Sequence, residues 1–202
     1  MNRHNNQSFM KKFGFVGGVI LLLGGAFYYY WVTTHPFIYT FNQKRDTQPI
    51  LEIFKQNWNW LVSSDDYDPA FTLKYLAPNN NRRYLGKLNI NVLRQGNDLI
   101  GFVAYYMKSQ DLGFLLFLAV DNRFRRQKYG ELLLRYGLQQ LTHLGAKKIR
   151  LVTRITNIPA QTLYKRVGFY EFSREPEGFI YFEYDPLKIT SQVPSQQVLP
   201  AS

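Results

Sequence analysis

The chain has 202 residues, with 25 Lys and Arg against 14 Asp and Glu, a net charge of +11 and no cysteine. That length suits one globular domain with an appendage. The missing cysteines exclude disulfides, thiolate-held zinc and a cysteine nucleophile, and His4, His35 and His143 are too scattered to suggest a metal site. The positive balance asks for an anionic partner: nucleic acid, a membrane surface or a polyphosphate cofactor.

Residues 1–12 form a short basic flank with Arg3, Lys11 and Lys12. Residues 13–32 follow as 20 positions without a charge. At about 1.5 Å of rise per residue, a helix of that length spans about 30 Å, the thickness of a bilayer core. Tyr28, Tyr29, Tyr30 and Trp31 stand at one end, where an aromatic belt sits. No small-residue cleavage site follows, which points to an uncleaved anchor rather than a signal peptide. A single-pass transmembrane helix over 13–32 is therefore expected. Gly14 and Gly18, with Gly17, Gly24 and Gly25 nearby, suit close pairing of two such helices and hence a homodimer. Lys44 and Arg45 after the span nearly balance the basic residues before it, so charge alone sets no orientation.

Beyond the span, residues 37–42 read as a first strand. Asp46-Thr47-Gln48-Pro49 carries a cap residue and an early proline and predicts a helix start there. Ile50, Ile53, Phe54, Trp58 and Leu61 recur at helical spacing. Asp68-Pro69 opens a second, shorter helix through Phe71, Tyr75 and Leu76, and Asn79-Asn80-Asn81 marks a loop. Residues 88–93 and 99–107 read as strands joined by the turn Gln95-Gly96-Asn97-Asp98. Residues 114–120 are a nearly continuous apolar run, as expected of a strand buried on both faces. Tyr129, Leu132, Leu133, Tyr136, Leu141 and Leu144 follow at helical spacing, and Gly145 ends that helix. A strand over 149–155, a short helix closing on Gly168, and strands over 170–173 and 179–184 complete the series. Residues 187–202 turn polar and read as a disordered tail.

Two segments carry the chemistry. The first is Leu118-Ala119-Val120 running into Arg125-Arg126-Gln127-Lys128-Tyr129-Gly130-Glu131. A tight turn entering a helix offers free backbone N–H groups and the positive end of the helix dipole. Residues 127–131 stand at that position, and Arg125 and Arg126 add charge, so the turn suits a pyrophosphate. The second is Asn157-Ile158-Pro159-Ala160-Gln161-Thr162-Leu163-Tyr164, closing on Val167-Gly168-Phe169. Ala160, Leu163, Tyr164 and Val167 fall on one helix face.

Together these segments resemble the coenzyme A site of the GNAT superfamily of N-acyltransferases. The second segment matches that family's pattern at every position. The first keeps Arg125 and Gly130 but has Lys128 where a middle glycine is usual. The element order over residues 37–186 also resembles the family's from end to end. The resemblance implies an α/β (α+β) fold: a mixed central sheet of about 6–7 strands with about four helices, here preceded by the transmembrane helix. It implies acetyl-CoA as cosubstrate, no metal, and direct transfer to a primary amine without a covalent acyl-enzyme. By resemblance, a bulge near residues 118–120 splays two strands to admit the pantetheine arm. The Leu118 N–H would then polarise the acetyl carbonyl, and the Val120 backbone would bond the pantetheine amides. Arg125, Arg126, Gln127, Lys128, Tyr129, Gly130 and Glu131 would hold the pyrophosphate. Asn157 would contact the cofactor arm, and Tyr164 would meet the thiolate leaving group.

Many family members place a glutamate base where this chain has Phe114. Asp111, Glu171 and Glu183, with Tyr105 and Tyr106, are the candidates left for that role. An acyl-CoA enzyme is expected to face the cytoplasm. The acceptor amine has no readable code. Two other readings fit parts of the sequence: a catalytically idle acyl-CoA or protein-binding module at the membrane, and a basic module for nucleic acid or anionic lipid. Nucleic acid is supported only by the charge and is not the expected partner.

Overall fold

The computed structural model describes residues 35–62, 64, 66–77 and 85–190. The anchor expected over 13–32, the basic flank and the loop at 79–81 lie outside the described residues. Among those described, no helix is long and apolar enough to cross a membrane. Residues 38–93 and 99–190 make up one unit; residues 35–37 with 94–98 group apart.

Seven strands form one mixed sheet, β1 (Phe37–Thr40), β2 (Leu85–Gln95), β3 (Asp98–Met107), β4 (Leu112–Val120), β5 (Lys148–Arg154), β6 (Tyr170–Glu175) and β7 (Phe179–Tyr184), in the order β1-β2-β3-β4-β5-β7-β6. Six α-helices accompany it: α1 (Gln43–Gln56), α2 (Trp58–Leu61), α3 (Pro69–Tyr75), α4 (Tyr129–His143), α5 (Ile158–Val167) and α6 (Pro186–Thr190). Among the described residues the element order matches expectation, with six helices rather than about four; strand ends move by one to three residues, and larger changes fall at three places.

The first helix begins at Gln43, not near Pro49. Asn42 is its cap: its side chain accepts from the Arg45 N–H at 3.1 Å, and Asp46 reaches back to accept from the Asn42 N–H at 2.8 Å. This reciprocal pair satisfies two end donors, so Asp46 is a buried inner-turn residue and Pro49 lies inside the helix. The helical run predicted through Leu61 breaks at Asn57, whose buried side chain donates to the Ile53 carbonyl at 2.8 Å and closes α1 before α2 starts. The polar segment after Pro186 is not all irregular: α6 continues to Thr190, and 191–202 lie outside the described residues.

Both faces of the sheet are covered. On one face α4 and α5 pack Leu133, Leu134, Leu138, Leu141, Tyr164 and Val167 against Val103, Tyr105, Leu115, Leu151 and Phe182. On the other, α1 and α3 bring Ile50, Ile53, Phe54 and Leu73 onto Phe102, Ala104, Tyr106 and Phe117. Phe54 meets the Phe117 ring edge-on, centroids 4.9 Å apart, a favoured aromatic geometry.

Two strand irregularities shape the centre. Against β3, Phe117 pairs with Ala104 but Leu115 pairs with Tyr105, so Leu116 is an extra residue on β4. Such a bulge bends its strand and interrupts the pleat. Leu116 and Phe117 accordingly join the same face, while Leu115 and Leu118 join the other. Next to the bulge, the parallel pairing of β4 with β5 is confined to residues 112–114 against 148–150. Past that point the two strands part.

Candidate active site

The parting of β4 from β5 leaves a strand edge inside the sheet. The Asp121 N–H donates to the Ile100 carbonyl at 2.9 Å. Register then alternates, so Ala119 and Phe117 also face β3 with their backbone groups. Leu118 and Val120 therefore turn their N–H and C=O groups the opposite way, toward the gap.

β4 leads into the turn that begins α4. Here Arg126 and Lys128 both take left-handed backbone, φ 65 and φ 64. Lys128 stands where a middle glycine is usual in the resembled pattern, and it keeps the conformation a glycine would adopt. Left-handed residues alternating with ordinary ones turn successive N–H groups to one side, a concavity that suits anions. The N–H groups of Gln127, Lys128, Tyr129 and Gly130 find no acceptor among the described residues, whereas the Glu131 N–H bonds the Lys128 carbonyl at 3.0 Å. The free donors thus end one residue earlier than the sequence suggested. Gly130 faces α5: a Cβ there would lie 3.6 Å from the Leu163 side chain, an ordinary contact, so packing alone does not require glycine.

The side chains around this turn divide their work. Arg126, Gln127 and Lys128 are exposed. Arg125 instead turns back, donating to Asn57 Oδ1 at 2.5 Å and to the Val120 carbonyl at 3.5 Å. Glu131 pairs with Arg135 at 2.8 Å and Arg166 at 3.7 Å, and the Arg135 hydrogen bond holds its carboxyl below the usual range. Asp121, which the sequence reading did not single out, is buried and accepts from the Arg123 N–H at 2.9 Å, closing a short 3₁₀ turn over Asn122–Phe124. Burial pushes its carboxyl up, but the Arg123 bonds outweigh this and hold it below its ordinary value.

The second segment forms α5. Asn157 caps it, Oδ1 accepting from the Ala160 N–H at 3.4 Å, while Nδ2 donates to Thr153 Oγ1 at 3.3 Å. Gly168 ends it with φ 109, a backbone region that suits glycine. Tyr164 is buried against Phe169 and Phe182, with ring centroids 5.9 and 5.7 Å away. Its hydroxyl has no hydrogen-bond partner among the described residues, and no side-chain polar atom there is both sealed and unpartnered. The hydroxyl is therefore not fully sealed, although the residue as a whole is only 8% exposed. Burial pushes its pKa up to about 12, so the phenol is protonated at neutral pH.

The carboxylates offered as bases are all engaged. Asp111 pairs with Lys147 at 3.1 Å, and Glu171 with Arg174 at 3.0 Å. Burial raises the Glu183 carboxyl, but bonds from Tyr170, Arg150 and Lys148 prevail and hold it at about 2. Phe114 is buried beside Tyr106. The Tyr105 hydroxyl donates to Asn91 at 2.9 Å, and burial drives its pKa far above the ordinary value. Among the described residues no group of His, Asp or Glu could hold a metal ion.

Three further side chains converge on this region from distant sequence: Gln56, Asn57 and Arg154. Gln56 accepts from the Asn122 N–H at 3.1 Å. Arg154 donates to the carbonyls of Asn59 at 2.6 Å and Val62 at 3.1 Å. No local pattern marks them, because their partners lie 66 to 95 residues away.

Comparison with known proteins adds the following. Residues 47–169 match the acetyltransferase (GNAT) family. N-alpha-acetyltransferase 30 of Dictyostelium discoideum is 32% identical over 79 residues, 38% of this chain and 43% of that protein. Mycothiol acetyltransferase of Corynebacterium glutamicum is 26% identical over 116 residues, 54% of this chain and 40% of that protein. The chain thus spans less than half the length of these two curated relatives. Among solved structures, the ribosomal-protein-S18-alanine N-acetyltransferase of Escherichia coli superposes with a TM-score of 0.56 at 21% identity, over 75% of this chain and 94% of that one. The PaiA N-acetyltransferase of Thermoplasma acidophilum, in complex with coenzyme A, superposes with a TM-score of 0.59 at 18% identity, over 75% and 99%. At these identities the likeness establishes the fold.

Proposed function

The chain belongs to the GNAT acetyltransferase family, and from that premise we propose that it acetylates an α-amine, of a peptide or a small molecule, at the gap between β4 and β5. One observation supports this most: Leu118 and Val120 turn their backbone groups into the gap, at the end of the strand that leads into an N–H-rich turn.

The residues present fit acetyl-CoA. Gln127, Lys128, Tyr129 and Gly130 offer four unpaired N–H groups at a helix start, where a pyrophosphate is favoured. Arg126 and Lys128 supply mobile positive charge beside them. The Val120 backbone and the Asn157 region suit the pantetheine amides. When bound, acetyl-CoA supplies the thioester whose carbonyl carbon bonds the amine nitrogen as the carbon–sulfur bond breaks. The Leu118 N–H donates to the carbonyl oxygen, an oxyanion-hole role. Tyr164 donates a hydrogen bond at the departing sulfur. Burial holds its pKa at about 12, above that of a free thiol, so proton transfer to sulfur is uphill. Tyr164 therefore holds its proton while stabilising the thiolate, and the proton that neutralises sulfur originates on the amine.

The paired carboxylates bear on the acceptor. Glu183 at about 2 cannot take a proton from an ammonium, and Asp111 and Glu171 are tied in ion pairs. The amine is best delivered neutral. An α-amine with a pKa of about 8 is neutral about one time in ten at pH 7, a lysine amine about one in 2,500. The Dictyostelium relative is an N-alpha-acetyltransferase by name, which agrees with this choice.

Coenzyme A release should be measured with two peptides, one with a free α-amine and no lysine, the other α-blocked with one lysine. The first is expected to react at least about 100-fold faster at pH 7. Reaction of the blocked peptide alone would overturn the α-amine reading.

The 20-residue uncharged run at 13–32 supports a single-pass anchor, with the acetyltransferase domain on the cytoplasmic side where acetyl-CoA is made. Recovery of the full chain in the carbonate-washed membrane fraction is the expected result. Release by carbonate would remove the anchor from this account.

A further inference from the structure

The two strands that part at the gap each send one arginine to the same short helix. Arg154, the last residue of β5, donates to the carbonyls of Asn59 and Val62. Arg125, five residues beyond the end of β4, donates to the Asn57 side chain. These partners bracket α2, one before it, one within it and one after it. The helix also rests on both strands: Trp58 and Leu61 join the apolar cluster that holds Leu116 of β4 and Val152 of β5. α2 therefore bridges the two sides of the gap.

The chemistry of the two ends differs. Arg154 meets carbonyls at the C-terminal end of α2, where acceptors lack helical donors and a cation is favoured. Its guanidinium also lies 5.1 Å from the Phe179 ring centroid on β7. Arg125 meets a side chain at the N-terminal end and, through the Val120 carbonyl, the strand end itself. Asn122 adds a second tie from the same turn to Gln56. One end of α2 is thus fixed to the turn bearing the unpaired N–H groups, and the other to the far side of the gap.

We infer that Arg125 and Arg154 are positioning residues that clamp α2 across the gap: Arg125 ties it to the cofactor turn, and Arg154 holds the end remote from that turn, the side of the gap the cofactor turn leaves for the acceptor to enter. The inference rests on the acetyltransferase reading above. Neither arginine need touch substrate. Loss of Arg154 frees the end of α2 remote from the cofactor turn. Loss of Arg125 frees the end that the turn holds and weakens the turn as well.

The test uses the full chain, with coenzyme A as probe and the free α-amine peptide as acceptor. In Arg154→Gln, amide exchange at residues 60–62 is expected to quicken at least tenfold, with exchange at Leu151 and Phe182 unchanged. The KM for the peptide is expected to rise at least fivefold, while the coenzyme A Kd and the KM for acetyl-CoA stay within twofold. Arg154→Lys, which keeps one donor, is expected to recover part of the exchange protection. Arg125→Gln should loosen the same amides and also weaken coenzyme A binding at least threefold. Unchanged exchange at 60–62 in either glutamine variant would overturn the clamp. So would a parallel rise of both KM values in Arg154→Gln, or quickened exchange at Leu151 and Phe182, which would mark a general structural role. If the wild-type chain failed to bind coenzyme A, the acetyltransferase reading would fall, while the exchange comparison would still decide whether the arginines hold α2.

Discussion

Lys128 holds φ 64 and ψ 7, a backbone state that costs an ordinary residue about 1–2 kcal/mol. The family pattern places glycine there, and the chain retains the backbone shape without the glycine. Lys128→Gly should leave stability unchanged or slightly higher, because relief of strain offsets the extra freedom of the unfolded chain. Lys128→Val should lower stability by about 1–2 kcal/mol relative to the glycine variant, since a β-branched residue fits this region worst; urea midpoints check both. Tyr164 makes a contrasting case. Its hydroxyl is unpartnered while its ring is packed against Phe169 and Phe182. Tyr164→Phe should therefore change stability by less than about 0.5 kcal/mol yet slow acetyl transfer by about 10²-fold or more. Full retention of the rate across pH would remove the leaving-group role.

The pairing of β3 with β4 is held tightly around Gly101, where an added Cβ would lie 2.5 Å from the Ala119 carbonyl oxygen. That contact is with backbone, so the strands themselves must move. Gly101→Ala should cost about 2 kcal/mol or more and shift Leu118 and Val120 relative to the turn, weakening coenzyme A binding; thermal unfolding and titration check each effect. The strands and α4 and α5 were legible in sequence because apolar runs and helical spacing report directly on burial. The breaks in the first helix were not. Asn42 is a cap only because Asp46 folds back onto it, and Asn57 ends α1 through a buried side-chain bond that periodicity does not see. The bulge at Leu116 was likewise hidden, since a continuous apolar run looks the same with one residue extra. The resemblance placed it near residues 118–120; pairing with β3 places the extra residue at 116.

Among the described residues, carboxyl and phenol groups shifted by burial and hydrogen bonds set the response to pH. The folded Glu183 carboxyl sits at about 2 against an ordinary 4.5, so the unfolded chain binds the extra proton in between. Its contribution to stability is present above about pH 4.5 and lost as pH falls toward 2. The phenols act at the other end. Burial raises Tyr67 and Tyr164, and hydrogen bonds to carboxylates raise Tyr170 and Tyr181, each from 10 to about 12. Here the folded state keeps protons that the unfolded chain releases. That stability is present below pH 10 and lost as pH rises through about 12. Urea midpoints should thus fall on both sides, and Glu183→Gln should flatten the acid limb. At this scale the sequence disclosed two short segments, which fold into the turn at 127–130 and into α5. It did not disclose how α2 is held, because Arg125 reaches Asn57 across 68 positions and Arg154 reaches Asn59 across 95. The central claim is that the gap and the turn at 127–130 together hold acetyl-CoA. Calorimetric titration of the full chain with acetyl-CoA tests it most directly. Saturable one-to-one binding, weakened at least tenfold when Gly130→Trp fills the space between α4 and α5 beside the turn, is the predicted result. No binding at millimolar acetyl-CoA, or binding that Gly130→Trp leaves unchanged, would contradict it.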